Sequence, residues 1–554
     1  MENRWLRMFL FLVVIPAFLG ITLKVSSANK LSSSPFFLTE VKAFRTSSQA
    51  VLIGGDRAVN DGSMVRAKQL YAFPDNIVAG IKTNTMPDIS LLVENVAGRL
   101  VQIQRTTNSG WPRDLTDRIA DPSDPEDVLP SNYGTVGMGL LMAYKMDVKL
   151  VNNIVTANTP KLNKDFLTAA TNAGDALEGM DADSLVSTDI IFLYGLSKVY
   201  TSLNNTVLAA KYKVAGLDSL KNFITTSADD VYTYYDTPVE GANVELKQLK
   251  LWQLANWVEA AKLYALDGDT SEADVTDLNN WANELMVKIV ACQDPAGGFY
   301  YEKTSVSPIT YSVRTAGHAK VVEVLKRFYA DDYQAKLKDG LAYLKGLQYD
   351  KAYVSNNDVP KMRGAFYCGG YTVVTTPTAG DINTLTPWNK VTLQDQCYGI
   401  QAMAYNFQTT WKKRDNYKNT YWGANYLIKS MTAVGPENYE VFVDRVDFDP
   451  ASDINTDTAA VPRTDRNSEA IQALYYSCKE GDVTRSGNIT AYNALEVLKA
   501  GIGVRELNGP EIVAADRHND GVINIDPVIT NNDIDAILSD AVGDHQPIHS
   551  FLGN

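Results

Sequence analysis

Cysteine is scarce in this chain: Cys292, Cys368, Cys397 and Cys478 are the only four in 554 residues. So few thiols cannot staple a fold of this length, and their spacing matches no zinc-ligand pattern. Either Cys368 and Cys397 form a bridge or the thiols stay free and buried. Histidine is equally rare, with four residues, and His318 alone lies outside the C-terminal segment. Any chemistry that needs an imidazole in the body of the chain must use it. Basic charge is in deficit, since 51 Lys and Arg face 65 Asp and Glu for a net −14. An acidic surface repels phosphate backbones, which excludes nucleic acid as a partner. Beyond the N-terminus no apolar run is long enough to span a bilayer. No phosphate-cradling loop and no catalytic-serine motif occurs.

The N-terminus is the exception. Arg4 and Arg7 precede the apolar run Met8–Leu23, which Pro16 interrupts, and Ser26-Ser27-Ala28 follows. Charge, apolar stretch and small residues in that order describe an export signal, residues 1–28, cleaved after Ala28. The mature chain is then expected outside the cell, free or in a cell-surface complex, with no membrane span. Residues 29–85 carry short mixed runs such as "QAVLIGG" and the turn signal "NDG", and read as an extended lead-in.

From residue 86 the pattern becomes helical and repeats. One kind of helix starts polar and ends near an aromatic: "NYGTVGMGLLMAYKM", "STDIIFLYGLSKVY", "LKLWQLANWVEAAKLY", "TYSVRTAGHAKVVEVLKRFY", "LQDQCYGIQAMAYNF" and "RNSEAIQALYYS". In the third, Leu251, Leu254, Val258, Ala261 and Ala265 fall on one face. A second kind precedes each of these, as in "LLVENVAGRLVQIQ" and "WANELMVKIVACQ". Several of these finish in glutamine and run into a glycine–aromatic turn: Gln104 to Gly110-Trp111, and Gln293 to Gly297-Gly298-Phe299. Glycine lets the chain reverse and the aromatic packs back on the hairpin. Six such pairs over residues 86–478 resemble the (α/α)6 toroid, a mainly α fold of helical hairpins in a ring. The links from the second kind to the first, at 106–131, 229–248, 294–309, 350–392 and 432–465, are long, and long links without structure of their own mark working surfaces. They emerge on one face, where a cleft is expected.

Residues 479–554 hold two related loop–helix segments, "GDVTRSGNITAYNALEVLKAGIG" and "ADRHNDGVINIDPVITNNDIDAILSDAVG". Alternating oxygen-bearing side chains, a glycine at the sharp turn and a following apolar helix suit Ca2+, a hard cation that takes six to eight oxygens. The duplication resembles a dockerin, the calcium-binding module that attaches enzymes to cohesin-type scaffold proteins. That resemblance implies ligands Asp482, Thr484, Ser486, the Asn488 carbonyl and Asn493 in the first loop. In the second it implies Asp516, His518, Asp520, the Val522 carbonyl and Asp533. Two hydroxyls in the first loop, and His518 and the inserted "DPVITN" in the second, depart from the family pattern, so Asp526 competes with Asp533.

Toroids joined to such modules are glycoside hydrolases or polysaccharide lyases, so an extracellular polysaccharide is the expected substrate. "NSGWPRD" is similar to a turn of an α/α-toroid pectate lyase family and offers Arg113 and Asp114. Asp189, Glu245 and Asp395 stand at or near the starts of helices of the first kind. Tyr311, Arg314 and His318 fit one helical face, where a base beside a cation would serve a lyase. Asp114, Asp189, Glu245 and Asp395 would instead supply the carboxylate pair of a hydrolase. The aromatic groups Tyr232, Tyr234, Tyr235 and Phe299, Tyr300, Tyr301 offer stacking faces for sugars. The alternative is a non-catalytic ring that binds glycan or protein and is tethered by the same module.

Overall fold

The computed structural model describes residues 89–115, 132–146, 164–236, 244–303, 309–349, 362–374, 384–408, 414–434, 440–449, 454–457, 462–478, 481–483, 489, 491–501, 507, 509–515 and 531–542. The signal and lead-in readings therefore lie outside the described residues. By contact the chain divides into Met1–Thr85 and Met86–Asn554.

Among the described residues the second unit is mainly helical. Its hairpins pair α1 (Ile89–Ile103) with α2 (Asn132–Met146), α3 (Lys164–Glu178) with α4 (Ser187–Ser202), and α5 (Thr206–Asp236) with α6 (Val244–Ala265). They continue with α7 (Glu272–Ala291) and α8 (Thr315–Phe328), α9 (Gln334–Gly346) and α10 (Leu393–Gln408), and α11 (Arg414–Ser430) and α12 (Thr464–Tyr476). Each even-numbered helix packs against the next, and α12 packs back on α2. Six inner helices thus close a ring, and the odd-numbered helices form an outer layer.

The two layers differ because their surroundings differ. Outer helix α7 is amphipathic: Leu278, Trp281, Ala282, Leu285, Met286, Ile289 and Val290 are buried on one stripe. Each such aliphatic side chain stabilises the fold by about 1.5–3 kcal/mol. The helix starts where the Ser271 hydroxyl accepts from the Asp274 N–H (3.2 Å), the cap its sequence signals. Inner helices are enclosed on every side, and all fifteen residues of α2 are buried. Close approach needs small residues there. A Cβ at Gly134 would meet the Thr188 backbone at 2.4 Å, and one at Gly139 would meet Ser468 Oγ at 2.0 Å. These two glycines let α2 seat against α4 on one side and α12 on the other.

The glutamine–glycine–aromatic turns explain themselves in the same terms. Gln104 Nε2 donates to Ser109 O (2.9 Å) and to Ala169 O of α3 (2.9 Å). Gln293 Nε2 does the same to Gly297 O (3.0 Å) and to Lys336 O of α9 (2.8 Å). A third glutamine, Gln348, reaches Gly364 O (3.3 Å) and Asn419 O of α11 (2.8 Å). Each amide ties its own turn to the next outer helix. The aromatics that follow, Trp111, Phe299 and Phe366, are all fully buried.

The long links are not structureless, and here the sequence expectation needs correction. They carry β1 (Glu302–Lys303), β2 (Ile309–Arg314), β3 (Gly369–Val374), β4 (Thr384–Pro387), β5 (Lys390–Thr392), β6 (Thr432–Val434), β7 (Glu440–Phe442), β8 (Arg445–Asp449) and β9 (Ile454–Asp457). All pair antiparallel, in sheets ordered β1-β2-β3-β4, β5-β8-β9 and β6-β7. The expected link 229–248 is helix up to Asp236 and again from Val244, so Tyr232, Tyr234 and Tyr235 belong to α5 and Glu245 to α6.

Pairing between links follows one rule at three joints of the ring. The residue just before an inner helix pairs with the next link: Arg314 with Gly369, Thr392 with Arg445, and Arg463 with Asp114. In each case the first N–H of the inner helix donates to the next link, Thr315 to Cys368 O (3.2 Å), Leu393 to Asp444 O (2.8 Å) and Thr464 to Arg113 O (2.9 Å). The last of these joins the sixth hairpin to the first, so the seam is built like the interior joints.

Beyond the ring lie α13 (Ala491–Gly501), α14 (Gly509–Ala515) and α15 (Asn531–Val542). They share a core of Val483, Ala494, Val497, Leu507, Ala514, Ile534 and Ile537. Helix α14 packs on α1 and α2. None of the four cysteines is in a disulfide, which corrects the proposed Cys368–Cys397 bridge. Both thiols are buried, and burial pushes Cys368 up to about 12 and Cys397 well above its ordinary range, so each is a neutral core group.

Candidate functional site at the ring axis

Outer helices end and inner helices begin at the same end of the ring, so all the strand-bearing links gather there. Beneath them, on the axis, lies a cavity of about 50 Å³ that every inner helix lines. The contributors include Gly134 and Met138 of α2, Thr188 of α4, Asn256 and Glu259 of α6, Lys320 and Glu323 of α8, Tyr398 and Gln401 of α10, and Gln472 and Tyr476 of α12.

The residues picked out at the helix starts mostly hold the ring together. Asp189 is fully buried; its Oδ1 accepts from the Gly134 N–H of α2 (2.8 Å) and its Oδ2 from the Val186 N–H (3.2 Å). It is a cap shared by two neighbouring inner helices. Burial raises its carboxyl to about 7 against the pull of those two N–H groups. Asp395 repeats the device, accepting from the Ala316 N–H of α8 (2.8 Å), from Arg314 Nε (3.3 Å) and from the Thr392 hydroxyl.

The expected Tyr311–Arg314–His318 face does not form. Helix α8 begins at Thr315, so Tyr311 and Arg314 stand on β2. Tyr311 packs on Tyr300 with centroids 5.0 Å apart. His318 is fully buried, and both ring nitrogens are used: Nδ1 accepts from the Phe299 N–H (3.0 Å), which leaves Nε2 to donate to Gly340 O (2.9 Å). Gln396, also the fourth residue of its helix, accepts from the Phe366 N–H (2.8 Å) and donates to Gly423 O (2.9 Å). Asn467, fourth in α12, accepts from the Phe442 N–H (2.8 Å). The lone ring histidine thus occupies a structural position that an amide fills in the next two repeats.

Burial pulls His318 down to about 4. The unfolded chain takes up a proton near pH 6.5 and the folded chain does not, so this residue's contribution falls as pH drops from about 6.5 to about 4, by up to about 3 kcal/mol. His318→Gln, which copies Gln396, is expected to fold and to flatten that slope. His318→Leu, which strands the Phe299 N–H and the Gly340 carbonyl, should cost about 2–4 kcal/mol at pH 7. Urea unfolding of the three proteins at pH 5 and pH 7 tests both. A histidine variant with an unchanged pH slope would contradict the assignment.

The groups with chemistry to offer lie further along the inner helices. Glu469 of α12 shares a helical face with Gln472 and Tyr476, which line the axial cavity. It is 3 % exposed, accepts from Arg466 Nη1 (3.1 and 3.2 Å), and meets Gln394 Nε2 at 3.5 Å. Burial raises its carboxyl, the Arg466 charge pulls back, and the balance is about 7. Asp114 is half-buried on the link joined to Arg463, with its carboxylate meeting no other described side chain. Arg113 beside it is exposed. Asp444, on the link stitched to α10, is also raised by burial.

Deeper still is a buried ionic network. Glu259 receives Lys320 Nζ (2.5 Å) and Arg327 Nη1 (2.5 Å), and Lys320 also reaches Glu323 Oε1 (3.0 Å). Burial works against the Glu259 charge, but Lys320 and Arg327 overturn it and hold the carboxyl low, whereas burial leaves Glu323 raised. Two carboxyls pushed in opposite directions are the usual footprint of acid–base work, and also of structural ion pairs. The sequence carried a signal for both sites. Trp252, Asn256 and Glu259; Lys320, Glu323 and Arg327; Gln394, Tyr398, Gln401 and Tyr405; and Glu469, Gln472 and Tyr476 are each spaced for one helical face. A polar stripe on a helix buried all round must face the axis.

In the C-terminal segment Asp482 and Asn493 are fully buried and Asp533 nearly so, in the first turn of α15. The Tyr421 hydroxyl of α11 donates to Asp482 Oδ2 (3.0 Å). Thr484, Ser486, Asn488, Asp516, His518, Asp520 and Val522 lie outside the described residues. Among the described residues no three His, Cys, Asp or Glu side chains form a metal cluster, and no helix is long and apolar enough to cross a membrane. Of the implied ligands, Asp482, Asn493 and Asp533 are thus the described ones, and Asp482 is already held by Tyr421.

A ring of six helical hairpins with its polar groups on the axis defines the class, an (α/α)6 toroid. No family model matches the chain, and no curated protein matches it. Among solved structures it is similar to an inactive variant of the α-1,6-mannanase of Salegentibacter sp. HEL1_6 in complex with α-1,6-mannotetrose, at 13% identity and TM-score 0.42 over 70% of this chain and 98% of that one. It is also similar to an unsaturated glucuronyl hydrolase specific for heparin, at 11% identity and TM-score 0.42 over 70% and 96%. A D-mannose isomerase matches at 10% identity and TM-score 0.42 over 72% and 98%.

Proposed function

We propose that this chain is an exported enzyme that cleaves an extracellular polysaccharide by hydrolysis, at the link end of its ring. The observation that carries the reading is Glu469: a buried carboxyl poised at about 7 on the inward face of α12, one turn above the axial cavity. A glycoside hydrolase needs an acid that is protonated near neutral pH and a second carboxylate facing it. Glu469 suits the first role, and Asp114, on the link paired to the start of the same helix, suits the second. A lyase built on His318 is disfavoured, because both of its nitrogens are committed. The duplicated loop–helix segments support attachment to a cohesin-type scaffold, with Asp482, Asn493 and Asp533 among the oxygens that would hold calcium. Bound calcium would supply fixed positive charge between buried acidic groups.

The test is a panel of neutral and acidic polysaccharides offered to the purified mature chain. Release of reducing ends without a near-ultraviolet chromophore supports hydrolysis. Release of an unsaturated, absorbing product would make the enzyme a lyase. Binding with no turnover on any glycan would make the ring a non-catalytic binder.

A further inference from the structure

We propose that the axial cavity is a subsite for the primary hydroxymethyl arm of a neutral hexose unit, with Glu323 accepting from its hydroxyl and Asn256 donating to it. This inference rests on the glycan reading above and narrows the substrate. Two buried polar atoms on the cavity wall have no partner: Asn256 Nδ2 and Glu323 Oε2, on residues that are each 2 % exposed. A buried polar atom left unpaired costs about 1–3 kcal/mol, so such a pair is kept where a ligand completes it. One is a donor and the other an acceptor, and a hydroxyl serves both at once. Thr188 Oγ1, also unpaired, adds a third contact at the upper wall.

Size and charge narrow the choice further. About 50 Å³ takes a few water-sized groups, enough for an arm of two heavy atoms and too little for a sugar ring. Gly134 and Thr188, near the N-terminal ends of α2 and α4, form part of the wall, so the cavity reaches the link end where a sugar ring would sit. The cations below are already paired: Glu259 receives Lys320 and Arg327, and Lys320 also reaches Glu323. A uronate carboxylate would enter as an uncompensated buried charge. A 6-deoxy sugar would put a methyl group against two unpaired polar atoms, and a pentose would leave the cavity unfilled.

Matched sugars test this by saturation-transfer NMR on the full mature chain: D-mannose against D-rhamnose, D-galactose against D-fucose, and D-glucose against D-xylose and D-glucuronate. Each hexose is expected to bind at least about tenfold more tightly than its counterpart. Asn256→Leu, similar in volume and outside the ion network, should bring each ratio to within about twofold. Rhamnose, fucose or xylose binding as well as its parent would overturn the subsite and leave the glycan reading intact. So would an Asn256→Leu protein with undiminished ratios. If neither these sugars nor their oligosaccharides bind at all, both readings fall together. The wild-type comparison needs no variant, so poor folding of Asn256→Leu would not shelter the proposal.

Discussion

Glu469→Gln is expected to lower turnover of the responsive polysaccharide by about 10²- to 10⁴-fold, the usual worth of a positioned general acid, with little loss of stability. Stability should hold because a carboxyl poised near 7 is already substantially protonated at neutral pH. An amide keeps its shape and its acceptor for Arg466, while Arg466 retains Asp465 at 3.7 Å. The pH profile separates an acid from a positioning group. If Glu469 must deliver a proton, the wild-type rate falls as pH rises through about 7. The variant should show no such limb in its residual rate. Because the folded carboxyl titrates above its unfolded value, the same ionisation withdraws stability as pH rises from about 4.3 towards 7. Rate and unfolding should therefore be followed together, so that lost activity is not lost fold. A Glu469→Gln enzyme with wild-type kcat and an unchanged alkaline limb would remove Glu469 from the chemistry.

The hairpin count and the order of the two layers were legible because they are written in helical period and in the recurring turn. Gln104, Gln293 and Gln348 act locally, between a turn and the next outer helix, so their pattern survives in one dimension. The strands in the links left no such trace. Arg314, Thr392 and Arg463 pair with residues of a different link, and the ring decides which one. Short strands whose register is set by a distant segment carry little alternation of their own. The Tyr311–Arg314–His318 face failed for a related reason. Asp189, Asp395 and His318 drew attention as titratable groups at helix starts, but an inner-helix start in this ring is where neighbours are stitched together, and polar side chains there are consumed by backbone N–H groups. The unpaired Asn256 Nδ2 and Glu323 Oε2 sit lower, on faces recognisable only once the helix is known to be buried on all sides.

Glu259→Met should be among the most destabilising single changes in the ring, by about 3–5 kcal/mol at pH 7. Glu259 is 4 % exposed and receives both Lys320 and Arg327. Its removal takes from Arg327, which contacts solvent hardly at all, the carboxylate it meets at 2.5 Å; the guanidinium lies 5.5 Å from the Tyr405 ring centroid. Lys320 would keep only Glu323 at 3.0 Å. Replacing both partners should cost less than the single change, because two apolar side chains of similar volume bury no charge. A cycle of Glu259→Met, Arg327→Met and the double variant should give a coupling of about 2–3 kcal/mol by urea unfolding. The sign of its pH dependence follows from Glu259 being held below its ordinary value. Its stabilising contribution is complete above about pH 4.5 and is lost as pH falls through the folded value, so the gap between wild type and Glu259→Met should narrow in acid. A cycle with no coupling at pH 7, or a gap that widens on acidification, would mean that the axial charges do not hold the inner helices together and that the network serves the cavity alone.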